Sequence, residues 1–283
     1  MADRAARPGS RAHPPDAAAV EYAARGSSRG SRLAGPIDRL LPTYRPVGWP
    51  IGYQRWRSLL FLHWPVPESV LRPLVPPELS IDLYDGVAYV GLIPFAVEQA
   101  RPALAPSALG LDFLETNVRT YVHVEGQDPG VYFFSLDAAS RLAVAGARVG
   151  FGLPYYHARM RFRSRGRLVA YTLRRLSGRR GELTVRYEVG EPLGRAAPGT
   201  LEHFLIERYL LHVRRRSGLW TTQVHHRPYP LYRARVLELH ETLLGADGLP
   251  PPGSPPPLVH FASLVDVDVF APRRPRTQPR QAS

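Results

Sequence analysis

The sequence predicts a mainly β fold with a few short helices, arranged as a closed or half-closed antiparallel β-barrel around a small polar cavity. The first observation behind this is the stretch FLETNVRTYVHV, which starts at Phe113. Glu115, Asn117, Arg119, Tyr121 and His123 share one face of it at period two, and Val118, Thr120, Val122 and Val124 share the other. A strand with Glu, Asn and Arg on one side either faces bulk water or lines a polar cavity. The second observation is that similar segments, GVYFFSLDA and ARVGFGLPYYHARM, follow within a few dozen residues. Closure around a polar interior needs several such strands.

The elements follow in order. Gln54 to Trp64 reads as an apolar-aromatic strand, and Pro67 to Leu74 as a short helix opened by proline. Ile81 to Tyr84 and Val87 to Phe95 read as a hairpin around Asp85-Gly86, the strongest turn signal in the chain. The strands Thr116 to Val124 and Val131 to Asp137 come next, joined by Gly126 to Gly130. Small residues from Ala138 to Val149 suggest a buried helix, with Asp137 as its cap. Tyr155 to Arg163, Leu168 to Arg175 and Glu182 to Val189 form a meander with glycine turns. Thr200 to Val213 reads as a helix with a threonine N-cap. Trp220 to His225, Tyr232 to His240 and Leu258 to Phe270 complete the sheet.

Composition removes several chemistries. All 37 basic residues are arginine, and the chain holds neither lysine nor cysteine. Schiff-base catalysis, thiolate catalysis, disulfides and cysteine metal sites are therefore excluded. The net charge of +13 raises the question of nucleic acid, but the charge is unevenly placed. The segments before Pro46 and after Phe270 carry +4 each, leaving +5 for the body. Residues 1–44 and 271–283 are expected to be disordered tails flanking a single domain over 45–270. The first tail has no apolar core of a secretory signal, and part of it is expected to be an extended gene start. No apolar run is long enough to span a bilayer, so a cytoplasmic location without membrane partners is expected.

Several motifs occur in one order: QRWRSLLFLHW, the block Phe113 to Met160, LEHFLIERY and VHHRPYPL. Together they resemble the YqjF-like family of domains of unknown function, from about Pro46 to Phe270. That family is a branch of the acetoacetate decarboxylase-like superfamily. The resemblance implies the antiparallel barrel and its cavity, and is consistent with a homodimer. Decarboxylases of the superfamily carry two adjacent lysines after a Leu-Pro or Phe-Pro step. The matching step here is Gly152-Leu153-Pro154-Tyr155-Tyr156. Tyr155 thus stands where the Schiff-base lysine would be, and Tyr156 where its pKa-lowering neighbour would be. A cavity glutamate of the decarboxylases matches Glu115. The resemblance implies the pocket; the missing lysine excludes the decarboxylase mechanism.

Six residues are the candidate site. Glu115 and Arg119 either form an ion pair, or Arg119 receives a ligand carboxylate while Glu115 orients it or acts as a base with a raised pKa. Asn117 shares their face. Arg148 lies near a helix C-terminus, where the dipole favours a cation, or serves the cavity. Tyr155 and His157 share a strand face, and His157 is the candidate acid or base that titrates near neutrality. Arg159 shares the face of Tyr155 and His157, and the later arginines, Arg161 to Arg167, read most simply as a solvated strand end. Glu207, Arg208 and Tyr209 either reach the cavity mouth or anchor a helix.

No metal site or cofactor is expected. His225 and His226 are adjacent and point to opposite faces of a strand, and VGFGLPYY follows a helix rather than a strand. The expected ligand is a small oxo- or hydroxy-carboxylic acid. The alternatives are a non-covalent acid/base enzyme in the same pocket, for enolisation, hydration or aldol-type chemistry, and an arginine-mediated nucleic-acid or acidic-surface binder. The last is disfavoured because the excess charge lies in the tails, away from any exposed aromatic platform.

Overall fold

The computed structural model describes residues 37–253 and 255–276 of the chain. The strands are β1 (Gly52–Val66), β2 (Ser80–Ile81), β3 (Ala88–Pro102), β4 (Leu111–Val124), β5 (Gln127–Ala138) and β6 (Tyr155–Arg165). They continue as β7 (Leu168–Arg175), β8 (Glu182–Gly194), β9 (Leu210–Arg215), β10 (Gly218–His225), β11 (Leu231–Glu241) and β12 (Leu258–Val269). The helices are short: α1 (Glu68–Leu71), α2 (Arg141–Phe151), α3 (Leu201–Ile206) and α4 (Leu243–Ala246). The fold is mainly β. No described helix is long and apolar enough to cross a membrane.

All twelve strands join one sheet, in the order β10-β9-β5-β6-β7-β8-β11-β12-β1-β3-β4-β2. Extra pairings of β4 with β5 and of β10 with β12 close it on itself. One ring of neighbours runs β1, β3, β4, β5, β9, β10, β12. A second runs β5, β6, β7, β8, β11, β12, β1, β3, β4. Most neighbours are antiparallel; β5 runs parallel to β6 and β9, and α2 is the crossover between β5 and β6.

The strands shared by both rings are covered on two sides, which explains the unbroken apolar run SLLFLHW in β1. Leu60 and Leu62 pack into one core with Val118, Tyr171 and Tyr187. Leu59 and Phe61 pack into the other with Phe95, Tyr121 and Phe204.

Several expectations are corrected. Asp85-Gly86 does turn the chain, with φ of 48° and 80°, but only Tyr84 and Val87 bridge across it. Ile81 pairs instead with Val122 of β4. The helix from Thr200 keeps its threonine cap, whose Oγ1 accepts from the His203 N–H, yet stops at Ile206. There Glu207 accepts from the Tyr229 N–H and the Tyr209 hydroxyl, and β9 pairs with β5 and β10. Tertiary pairing outweighs helix propensity here.

The helix before Gly152 is α2. Ser140, not Asp137, caps it, and Val144 alone within it is buried, while Leu142 and Val149 are exposed. Residues 37–44, assigned to the tail, are held on the body. Arg39 pairs with Asp82, and Gln223 Nε2 donates to the carbonyls of Pro42 and Tyr44. Arg273 likewise pairs with Asp128 and bridges to Thr221, which ties down residues assigned to the second tail. The remainder of both expected tails, residues 1–36 and 277–283, lies outside the described residues.

Candidate functional site

The odd-numbered residues of β4 turn into the first ring as the period of two requires, so Glu115, Asn117 and Arg119 all line one pocket of about 120 Å³. Every strand of that ring contributes to its wall. The inward parity changes along β1: Gln54 and Trp56 line the pocket first, then Leu59 and Phe61. Ser58, with φ of 54°, absorbs the change within a register shift between Arg57 and Leu62. In β5 the same happens between Phe133 and Leu136, where the pairing with β4 slips at Val118/Arg119.

The wall has two characters. Trp56, Phe61, Phe95, Phe133, Phe151 and Tyr229 make it aromatic. Glu115, Asn117, Arg119, Tyr155 and Arg208 make it polar.

Glu115 is 5% exposed and accepts a 2.9 Å hydrogen bond from the Tyr155 hydroxyl. Burial pushes its carboxyl up to about 8; the Tyr155 bond opposes this, and the nearby Asp137 carboxylate reinforces it. Glu115 is therefore mostly protonated at neutral pH. Burial, followed by the neighbouring Glu115, holds the Tyr155 phenol well above its ordinary value.

Two guanidinium groups rest on the last turn of α3. Arg119 Nη2 donates to the Leu205 carbonyl at 3.0 Å, and Arg208 Nε donates to the Phe204 carbonyl. Arg208 also pairs with Asp82 at 2.8 Å, the carboxylate that Arg39 shares. Arg119, 8% exposed, has no acidic partner among the described residues. Its Nε, Arg208 Nη2 and Asn117 Oδ1 are all buried without a hydrogen-bond partner. Buried polar atoms are seldom left so, and three of them face one pocket.

Glu115, Asn117, Arg119 and Tyr155 thus come together, although Glu115 and Arg119 form no ion pair. Four residues along a strand span about 13 Å, and each has a nearer partner. Arg148 and His157 do not line the pocket. Arg148 is exposed, and its Nε donates to the Tyr155 carbonyl at 2.7 Å. His157 is half-buried, and its backbone N–H donates to Ser177 Oγ. Asp137 makes a two-pronged pair with Arg175 on the far side of β5.

His226 is buried between Tyr209 and Tyr229, each at 4.4 Å, and burial pulls its imidazole down to about 4. No group of three His, Asp or Glu among the described residues is placed to hold a metal ion. The sequence offered Arg208 only as one of two alternatives, cavity mouth or helix anchor, and gave no sign of the aromatic wall. The available signal for Arg208 was a cation inside the apolar run LEHFLIERYLLHV, where only a paired or functional charge is tolerated.

The family model of DUF2071, an uncharacterized conserved protein, matches residues 53–266. The uncharacterized protein YqjF of Bacillus subtilis (strain 168) is 39% identical over 230 residues, covering 81% of this chain and 94% of that protein. Among solved structures, the enduracididine biosynthesis enzyme MppR complexed with pyruvate superposes with a TM-score of 0.55 at 13% identity. That match covers 80% of this chain and 91% of MppR. An acetoacetate decarboxylase-like enzyme from Sphingomonas wittichii RW1 gives a TM-score of 0.52 at 12% identity, over 80% and 93% of the two chains. At these identities the likeness is one of fold: acetoacetate decarboxylase-like.

Proposed function

The chain belongs to the DUF2071 family, and we propose that its first strand ring is a half-closed barrel whose pocket binds a small oxo- or hydroxy-carboxylic acid. The observation that carries this is Arg119, a buried cation that among the described residues has no carboxylate beside it and no partner for its Nε–H. A buried unpaired charge is costly, and a ligand carboxylate would remove the cost through charge-assisted hydrogen bonds. Arg208 Nη2 adds a donor to the same pocket, and the neutral Glu115 carboxyl adds another farther along β4. Asn117 Oδ1 offers an acceptor to a ligand hydroxyl. The aromatic wall takes the rest of the molecule. A pyruvate complex of an enzyme with the same fold supports the choice of ligand class. Covalent amine chemistry plays no part, because the chain has no lysine.

A second reading, non-covalent acid/base catalysis, is favoured by the Glu115–Tyr155 hydrogen bond. A carboxyl brought to about 8 inside a pocket can exchange a proton with an oxo acid near neutral pH. In its carboxylate form Glu115 would take the proton from the carbon beside the ligand carbonyl and then return it to the carbonyl oxygen, giving the enol and regenerating the carboxylate.

Both readings are tested by thermal unfolding of the full chain against pyruvate, longer oxo and hydroxy acids and dicarboxylic acids, with Arg119→Ala in parallel. A ligand at one hundred times its dissociation constant adds roughly 2.7 kcal/mol. A shift that vanishes in Arg119→Ala supports the carboxylate site, and a flat panel overturns it. Solvent deuterium entering the bound acid, lost in Glu115→Gln while binding persists, supports catalysis. A ligand that binds without exchange counts against it.

A further inference from the structure

Strand β6 carries a row of charge that the pocket does not use. Arg159, Arg161, Arg163 and Arg165 alternate along it and are all exposed. Among the described residues none of the four forms an ion pair or a side-chain hydrogen bond. Arginines close by do pair: Arg167 with Glu191, Arg186 with Glu238, and Arg235 with Glu188. Across the sheet, Arg159 faces Arg174, Arg161 faces Thr172 and Arg163 faces Ala170, so the neighbouring strand supplies no counter-charge. Successive arginines stand about 6.7 Å apart, the repeat of alternate residues on an extended strand.

The same strand has an open edge. Among the described residues, pairing with β5 ends at His157 and Ala158–Arg165 pairs with β7 alone. His157 directs both its backbone groups to the β7 side, its carbonyl accepting from the Leu176 N–H and its N–H donating to Ser177. By alternation, Met160, Phe162 and Ser164 present their N–H and C=O groups to the open edge. A chain pairing there would place its outward side chains directly beside the arginines.

We propose that the β6 edge is a docking site for an extended acidic segment of a partner protein, added as an antiparallel strand with Asp or Glu at alternate positions. Charge complementarity and the free backbone edge both call for it. A second copy of this chain does not fit, because pairing β6 with β6 would set arginine against arginine. Single-stranded nucleic acid fits less well. Phe162, the one aromatic ring between the arginines, is half-buried under Arg57 at 5.8 Å rather than exposed for stacking.

The test titrates the full chain with a fluorescent peptide alternating glutamate and valine over the length of Ala158–Arg165. Its arms are the same peptide N-methylated at alternate residues and a single-stranded thymidine oligonucleotide. The protein arms are wild type and Arg161→Glu/Arg163→Glu, whose exposed sites leave folding intact by circular dichroism. Salt-sensitive binding that weakens about tenfold or more both on N-methylation and in the double variant is the expected result. Absence of peptide binding, equal binding of the N-methylated peptide, or tighter binding of the oligonucleotide would each overturn the proposal. The pocket reading is untouched by any of these results.

Discussion

The Tyr155 hydroxyl donates to Oε2 of Glu115 at 2.9 Å, linking β6 to β4, two strands that do not pair with each other. The bond lowers the Glu115 carboxyl, which burial and Asp137 both raise. It therefore sets where within the neutral range this group can exchange a proton.

Tyr155→Phe keeps the ring and removes the donor. The Glu115 carboxyl is expected to titrate above its present value of about 8. A carbon-13 NMR titration of labelled glutamate carboxyls measures it. An unchanged midpoint would mean that the hydroxyl does not stabilise the carboxylate.

Glu115 also makes stability depend on pH. Its folded value, about 8, lies above its ordinary 4.5, so the folded state holds the proton more tightly. The contribution is fully present below about pH 4.5 and is lost as pH rises through 8, at up to about 1.4 kcal/mol per pH unit. Glu115→Gln cannot ionise. Its stability should fall less than that of wild type between pH 5 and 8, as urea unfolding at each pH would show. Parallel curves would contradict the assignment.

Arg175 is buried between Asp137, at 2.7 Å, and Asp247, at 3.0 Å. Arg175→Met leaves two carboxylates facing each other in the core and should cost about 3–5 kcal/mol at neutral pH. Burial already raises the Asp137 carboxyl and Arg175 restrains it, so the variant should regain stability as acid protonates Asp137. Urea midpoints at pH 7 and 5 test this. A variant that loses nothing at pH 7 would show the network to be dispensable.

Gly130 lets β5 approach β9, because a Cβ there would meet the Leu210 carbonyl oxygen and lie 2.8 Å from the Leu210 Cβ. Gly130→Ala should destabilise by about 1–3 kcal/mol through overpacking at the ring that holds the pocket. Gly146→Ala is the contrast. It lies in α2 with open space around its Cβ position, and should stabilise by up to about 1 kcal/mol. Thermal midpoints of the two should move in opposite directions.

Much of the strand order and part of the site were legible beforehand, for a local reason. Glu115, Asn117 and Arg119 alternate within one strand, and Tyr155 begins the next segment with the same inward parity. Period two needs only a few consecutive residues to be seen. Arg208 was legible only as an open choice between cavity mouth and helix anchor, because the run around it has helix-like spacing and only the pairing of β9 with β5 and β10 draws the chain out of helix. Trp56 and Phe61 lie on opposite parities of β1, so no strict alternation places both inward. The kink at Ser58 does so. Arg148 and His157 had suitable chemistry and neighbourhood, but one bonds the Tyr155 carbonyl from outside and the other lies beyond the wall.

The amino-acid sequence alone determined that this chain is mainly β, that strand β4 carries one polar face, and that no lysine or cysteine chemistry is open to it. Those properties reside in residue identity and in short-range periodicity, which survive without knowledge of the fold. Tertiary structure decided which polar residues meet. It set Glu115 against Tyr155 rather than Arg119, turned Asp137 to Arg175, and left the Arg119 guanidinium buried without an acid. Side-chain partners are set by which strands become neighbours and where their registers slip, and both follow from how the whole sheet closes on itself.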